Sequence, residues 1–288
     1  MRSDGSKTGF NRILLYAAMG LLSIAFLAPL AWMISTSLKP EKQAASQEIR
    51  LLPDPISSTP AQAAKNYKAV WTDSTVQFPL YLRNTLIVAV LAVTGMTLSS
   101  AMVAYGLARV EWRGRKVVFA LILATMMIPF PVLMVPLFMI FKHLGWNGTL
   151  LPLWVPAWFG GAFNIFMLRQ FYMGIPRELD EAARIDGLGH WGIFWRVIVP
   201  LSRPALAVVA LFHFVYVWND FVGPLIYLHH RDTFTLALGL QLYQSQAGQT
   251  PWNLLMAAST LVILPILLLF VLTQRTFVRG ISAEGLKG

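Results

Sequence analysis

Three short groups of residues in one polar stretch have the types and spacing to do chemistry: Glu181-Ala182-Ala183, Asp186-Gly187 and Ile198-x-Pro200, all within IPRELDEAARIDGLGHWGIFWRVIVPLSRPAL (residues 175–206). The chemistry these types allow is close contact and chain reversal. Glu181 offers a carboxylate to a cationic or N–H partner, Ala182 and Ala183 permit close backbone approach, and Gly187 lets the chain reverse in a left-handed conformation. Bond-breaking chemistry has no comparable set. The chain has no cysteine, which excludes thiol catalysis and cysteine-held metals. No G-x-x-x-x-G-K-[ST] occurs, and Ser6-Lys7-Thr8 echoes only its end, without the phosphate-cradling glycines. H-E-x-x-H and metal-spaced histidines are absent as well, so no catalytic residue, metal or cofactor is expected in this chain.

A second group lies inside apolar sequence. Asn219 and Asp220 fall within the run Pro204–Leu228, where an ionisable side chain is expensive and marks either a functional position or an interhelical hydrogen bond. Only His213 joins Asp220 at such depth, thin support for a proton relay. Asn84, Tyr105 and Asn164 are further candidates for a hydrophilic path, with Ser99, Ser100, Ser259 and Thr260 as weaker ones. Of the ten tryptophans only Trp218 is a path candidate. Trp154, Trp158 and Trp252 sit near span ends, where aromatic belts account for them.

The elements that must position these residues are membrane helices. Of 288 residues 56% are hydrophobic and only 12% charged, against about 25% charged in soluble domains. Six apolar runs, Ile13–Ile34, Thr85–Ala108, Val117–Phe141, Leu150–Leu168, Pro204–Leu228 and Leu254–Gln274, each approach the roughly 20 residues that cross about 30 Å of hydrocarbon. The first has a basic prelude like a signal peptide, but its apolar core is too long and no clean A-x-A site follows, so it reads as an uncleaved span. An even number of spans puts both termini on one side. If that side is the cytoplasm, fifteen of the 23 Lys and Arg residues lie inside, including those of the short loop RVEWRGRK (109–116). This one-sided pattern explains the net charge of +10 without nucleic acid.

The organisation expected is a cytoplasmic tail (1–12), a first transmembrane helix (13–34), a periplasmic loop (35–83), a five-helix core (84–275) with a cytoplasmic loop (169–203), and a cytoplasmic tail (276–288). The Pro- and Ser-rich LLPDPISSTP (51–60) makes the periplasmic loop irregular or extended. Asn147-Gly148-Thr149 reads as a turn. Ile128-Pro129-Phe130-Pro131 with Pro136 distorts the third span. No internal repeat suggests an inverted-repeat transporter.

In the cytoplasmic loop Pro176 suits a first helical position, Glu178, Asp180 and Glu181 sit at the positive end of the helix dipole, and Gly187 suits its close. This predicts a helix from about Pro176 to Asp186 and a turn at 187–189. Trp191, Phe194, Val197 and Ile198 predict a second amphipathic stretch, ended by Pro200 and Pro204. The competing reading is an interfacial hairpin that merely anchors the loop.

The spacing of Glu181-Ala182-Ala183, Asp186-Gly187 and Ile198-x-Pro200 resembles the EAA motif of inner-membrane permeases of ABC importers, with Val199 in place of the usual Leu. Val217-Trp218-Asn219-Asp220-Phe221 with Pro224-Leu225, the ending Arg279–Gly288 (RGISAEGLKG) and Arg83-Asn84-Thr85-Leu86 are similar to segments of carbohydrate-uptake permeases. The resemblance implies the smaller permease of a maltose-type or multiple-sugar importer: an all-α membrane protein with six transmembrane helices, type I importer architecture and a cytoplasmic coupling helix. It implies that Glu181, Ala182, Ala183, Asp186, Gly187, Ile198 and Pro200 dock an ATPase dimer. Ile281, Ser282, Gly285 and Lys287 would make a second ATPase contact. Other implied partners are a second homologous permease, a substrate-binding protein met by the outer loop His229–Asn253, membrane lipid and a sugar, with ATP and Mg held by the ATPase. Glycerol 3-phosphate importers share the pattern, and a stand-alone secondary transporter or an intramembrane enzyme are the rival classes. The expected mechanism is alternating access driven from the docking loop.

Overall fold

The structure, a computed structural model, describes residues 5–46, 48–244 and 250–284, with side chains described over 12–46, 48–244 and 250–274. All described elements are helical, with no strand among the described residues. Four helices are long and apolar enough to cross a membrane, and six spans result if each of two bent pairs counts as one. The chain divides into two compact units, Met1–Phe78 with Leu240–Pro265, and Pro79–Gly239 with Ile266–Gly288.

In the first unit the helix Gly5–Ser37 carries the first span, and none of its most apolar window is buried by the chain. Lipid or another subunit must cover it. The segment 35–83 departs from expectation. After a short helix at Glu41–Ala44, irregular chain continues only to a 3-10 turn at Ile56–Ser58, and Thr59–Thr72 is a helix with Pro60 in its first turn. Asn66 and Val70 share one helical face, four residues apart, and both are buried. Asn66 donates to the carbonyls of Ser37 (2.8 Å) and Lys39 (2.9 Å) and accepts from Gln62 (2.8 Å) and Asn253 (3.0 Å). The Pro/Ser cluster makes a turn, and the Ala-rich sequence after it is a good helix former with an amide to anchor it.

In the second unit the second span is one unbroken helix, Phe78–Ala108. The third is Arg115–Thr125 followed by Phe130–His143, bent by 99°. Pro129 stands at the break in an extended conformation (φ −68°, ψ 138°), as the expected distortion requires. The fourth span, Leu151–Met173, is interrupted at Gly160, whose φ is +84°. The fifth region differs from the sequence reading twice. His190–Leu201 runs through Pro200, because a π turn at Phe194–Ile198 has already widened the hydrogen-bond ladder ahead of a residue that has no N–H. The bend of 78° falls at Ser202, before Arg203–Trp218. That helix has 16 residues, about 24 Å at 1.5 Å per residue and short of a crossing. The remainder comes from a separate helix, Val222–Tyr227, after a break at 219–221. The sixth span belongs to the helix Trp252–Glu284.

Candidate functional site

The first candidate site begins with the helix Glu178–Ile185, two residues shorter at its start than expected. Glu178, Asp180 and Glu181 occupy its first turn, where its N–H groups favour negative charge. Its far end closes as a Schellman turn: Gly187 N–H reaches the Arg184 carbonyl (3.0 Å) and Leu188 N–H the Ala183 carbonyl (2.9 Å). Gly187 has φ +82°, the left-handed conformation the turn needs. Glu181, Ala182, Asp186 and Gly187 are exposed together on this helix and its cap, and Pro200 is exposed on the next. Ala183 and Ile198 face the other way. Both belong to the buried core with Ala104, Leu168, Phe194 and Val209, so they hold the segment from within.

What fixes the helix is a residue outside the predicted set. Arg109, one residue past the second span, is buried against it. Its Nε donates to Asp180 Oδ2 at 2.8 Å, with only 2% and 9% of the two side chains exposed. Its remaining nitrogens donate to the carbonyls of Tyr172 (3.2 Å), Ile175 (2.6 Å) and Pro176 (3.0 Å). Tyr172 is in the last turn of Ala162–Met173 and Ile175 and Pro176 follow it, where acceptors lack helical partners and a cation is favoured. One guanidinium thus joins the second span, the end of the fourth and the exposed helix. Tyr105, a turn earlier, donates to the His190 carbonyl at 3.1 Å. A second pair, Arg177 to Glu111 (2.9 Å), crosses the same junction in the open. It holds the Glu111 carboxyl below the usual carboxylate range, by its hydrogen bond and then by the nearby positive charges of Arg177 and Arg115. Charged side chains of both pairs, with Glu181, Arg184 and His190, border a recess of about 270 Å³.

The membrane-depth candidates do not converge. Asn84 is buried and donates to the carbonyls of Asp232 (2.8 Å) and Phe234 (3.0 Å), so it anchors a connecting segment. Tyr105 lies at the opposite end of the same helix. Asn164 is buried beside Gly161 and Met96. Trp218 is buried and stacked on Phe214 at 5.2 Å. Asn219 is exposed and bonds back to the Val215 carbonyl (2.8 Å), ending its helix. Asp220 alone of the candidates lines a cavity of about 560 Å³, together with His213, Tyr216, Tyr227, Thr85 and apolar residues of the third and fourth spans. Its Oδ1 accepts the Gly223 N–H (3.0 Å) and so starts the short helix Val222–Tyr227. Among the described residues no Lys or Arg lines this cavity. Ser99 and Ser100 bridge helices, to the Ala157 carbonyl (3.2 Å) and from the Gly161 N–H (3.2 Å). Among the described residues no cluster of His, Asp and Glu could hold a metal. In the tail, Ile281 and Ser282 lie in the helix Trp252–Glu284, while Gly285 and Lys287 fall outside the described residues.

Sequence reasoning missed Arg109 and Asp180 as a pair. Arg109 had counted only as one of the inside charges and Asp180 only as a first-turn acid. The available signal was an arginine directly after a 24-residue apolar run.

Residues 96–283 match the family model described as "Binding-protein-dependent transport system inner membrane component". The arabinooligosaccharides transport system permease protein AraQ of Halalkalibacterium halodurans is 35% identical over 94% of this chain and 95% of its own. The trehalose/maltose transport system permease protein MalG of Thermococcus litoralis is 33% identical over 96% of this chain and 98% of its own. In fold, the chain is similar to a crystal structure of a bacterial ABC transporter involved in import of the acidic polysaccharide alginate (TM-score 0.80, 23% identity, 96% of this chain and 99% of that one). A second solved structure, of the bacterial alginate ABC transporter in complex with an alginate pentasaccharide-bound periplasmic protein, matches with TM-score 0.64 at 16% identity, over 93% of this chain and 96% of that one. The chain belongs to the family of inner-membrane components of binding-protein-dependent transport systems.

Proposed function

We propose that this family member is the permease subunit of an ATP-driven importer of sugars or oligosaccharides, docked to its ATPase through Glu178–Ile185. The observation that carries the reading is the two-faced build of that helix. Glu181, Ala182, Asp186 and Gly187 are exposed on one face, and the other is fixed to the bundle by Asp180 and Ala183. A hairpin that only anchored a loop to lipid would present a continuous apolar face there, whereas this face sets the exposed Ile185 among Glu181, Ala182 and Asp186, a mixture that suits a protein groove. Pro200, exposed nearby, extends the docking surface, and Ile281, Ser282, Gly285 and Lys287 add a tail contact. ATP and Mg belong to the ATPase dimer. The unburied first span is the surface for lipid and a second homologous permease, and a binding protein delivers solute from outside. Both termini face the cytoplasm, following the basic loops.

The relatives' names support a sugar substrate, since they describe systems for arabinooligosaccharides and trehalose/maltose. The Asp220 cavity also favours a neutral solute over glycerol 3-phosphate, because among the described residues it offers a phosphate no Lys or Arg partner. The test is Glu181→Lys in the reconstituted transporter. The chain is expected to insert and fold while ATPase co-purification and ATP-dependent sugar uptake fall to background. Normal uptake by this variant would refute the docking assignment.

A further inference from the structure

The six spans are not equally stiff. The first and last contain an internal proline, Pro29 and Pro265. The third and fifth regions bend by 99° and 78°, and the fourth is interrupted at Gly160. Among the described residues only the second span, Phe78–Ala108, runs 31 residues without a break, and its one proline, Pro79, lies in the first turn, where no ladder bond is lost. An uninterrupted hydrogen-bond ladder of this kind resists bending, whereas prolines and lost ladder bonds are where helices kink.

Both ends of this helix are gripped by segments distant in sequence. Beyond its last turn Arg109 holds Asp180 and three carbonyls before the exposed helix, and Tyr105 holds the His190 carbonyl after it. At its first turns Asn84 donates to the carbonyls of Asp232 and Phe234, and the Thr85 hydroxyl oxygen accepts the Leu236 N–H at 2.8 Å. From Asn84 to Ala108 the helix is about 36 Å long at 1.5 Å per residue. Midway, Gly95 lies so close to Trp158 that a Cβ there would collide with the indole, and Ser99 and Ser100 reach the fourth span beside its break.

We infer that Phe78–Ala108 is a rigid transmission rod, carrying nucleotide-dependent movement from Glu178–Ile185 to the segment Asp232–Leu236 at its other end. Arg109 with Asp180, and Asn84 with Thr85, are its two couplings. They are positioning residues: they touch neither nucleotide nor solute, and they decide whether the two ends move together. The inference rests on the docking reading above. It adds a route to the outer polar segment, which would then present a different surface to a binding protein in each nucleotide state.

The chain has no cysteine, so one introduced thiol reports from one place. Arg231→Cys, at an exposed position beside the gripped segment, is labelled with a maleimide in the assembled transporter in vesicles, without nucleotide and after trapping with ATP, Mg and vanadate. The labelling rate is expected to differ about fivefold between the two states, the low end of usual allosteric coupling. Adding Asn84→Ala, or separately Arg109→Lys, is expected to abolish that difference while the ATPase still co-purifies. If the difference survives both substitutions, or never appears in the Arg231→Cys parent with its ATPase bound, the rod is wrong. Should Arg109→Lys fail to assemble, Asn84→Ala decides, since its bonds lie at the end away from the docking helix. Loss of ATPase from the parent itself would count against the docking reading, and it is seen separately on the same gel.

Discussion

Two arginine–carboxylate pairs cross the same junction with opposite polarity, one buried and one in water. Arg109–Asp180 spans 2.8 Å with 2% and 9% of the side chains exposed, and Arg177–Glu111 spans 2.9 Å with 57% and 70% exposed. Each joins the end of the second span to the start of the helix Glu178–Ile185. The distances are near-equal, so geometry does not separate them. In the interior the guanidinium cannot fall back on solvent, and its remaining donors are taken by three carbonyls. On the rim, water and salt compete with both partners. The difference teaches that the inner pair is an anchor whose loss leaves a stranded charge, and the outer pair is an adjustable contact.

The strongest way to break this comparison is Asp180→Asn. The amide keeps the shape but removes the counter-charge, leaving a buried guanidinium uncompensated, and losing one member of such a pair costs about 3–5 kcal/mol. A large drop in the thermal midpoint of the purified transporter is expected. A change no larger than that of an exposed-pair variant would mean that the three carbonyls alone hold Arg109.

A middle-sized effect belongs to the cap of the helix Glu178–Ile185. Gly187→Ala meets open space, since nothing lies within 4 Å of a Cβ built there. The cost is then the left-handed backbone alone, about 1–2 kcal/mol. Limited proteolysis of 185–189 is expected to accelerate, with Gly187→Asn recovering part of the loss because Asn tolerates that conformation. Equal behaviour of Ala and Asn would show that backbone strain is not what Gly187 avoids.

Much of this was legible in the sequence. Hydropathy gave the six crossing regions, and Pro129 marked the bend in the third. Glu178 to Gly187 announced a helix with a glycine cap because those signals are local. The helix Thr59–Thr72 was hidden by the Pro/Ser run before it, and the break at 219–221 by an apolar run that continues on both sides. The Arg109 clamp was not legible, because it depends on a contact between residues 71 positions apart. Ile198 read as part of the docking motif, yet its burial makes it a packing residue, a distinction that spacing cannot carry. The polar residues at depth mislead for the same reason. Asn84, Tyr105 and Asp220 are all polar interruptions of apolar runs, while one anchors a segment, one ties the loop at His190 and one lines a cavity.

The smallest effect is reserved for the rim. Glu111 has its carboxyl pKa depressed, first by the hydrogen bond from Arg177. A group with a depressed folded pKa contributes stability that is present above its ordinary carboxylate pKa and is lost as pH falls through the folded value. Any contribution from this pair should therefore disappear only in acid, below the usual carboxylate range. At neutral pH and physiological salt, Glu111→Gln is expected to leave the thermal midpoint unchanged, with a small loss emerging at low ionic strength, where screening is weak. The two-salt comparison sharpens the contrast, because the buried Arg109–Asp180 pair should be insensitive to added salt. A Glu111→Gln loss as large as that of Asp180→Asn, or equal salt dependence of the two, would mean that exposure is not what distinguishes them.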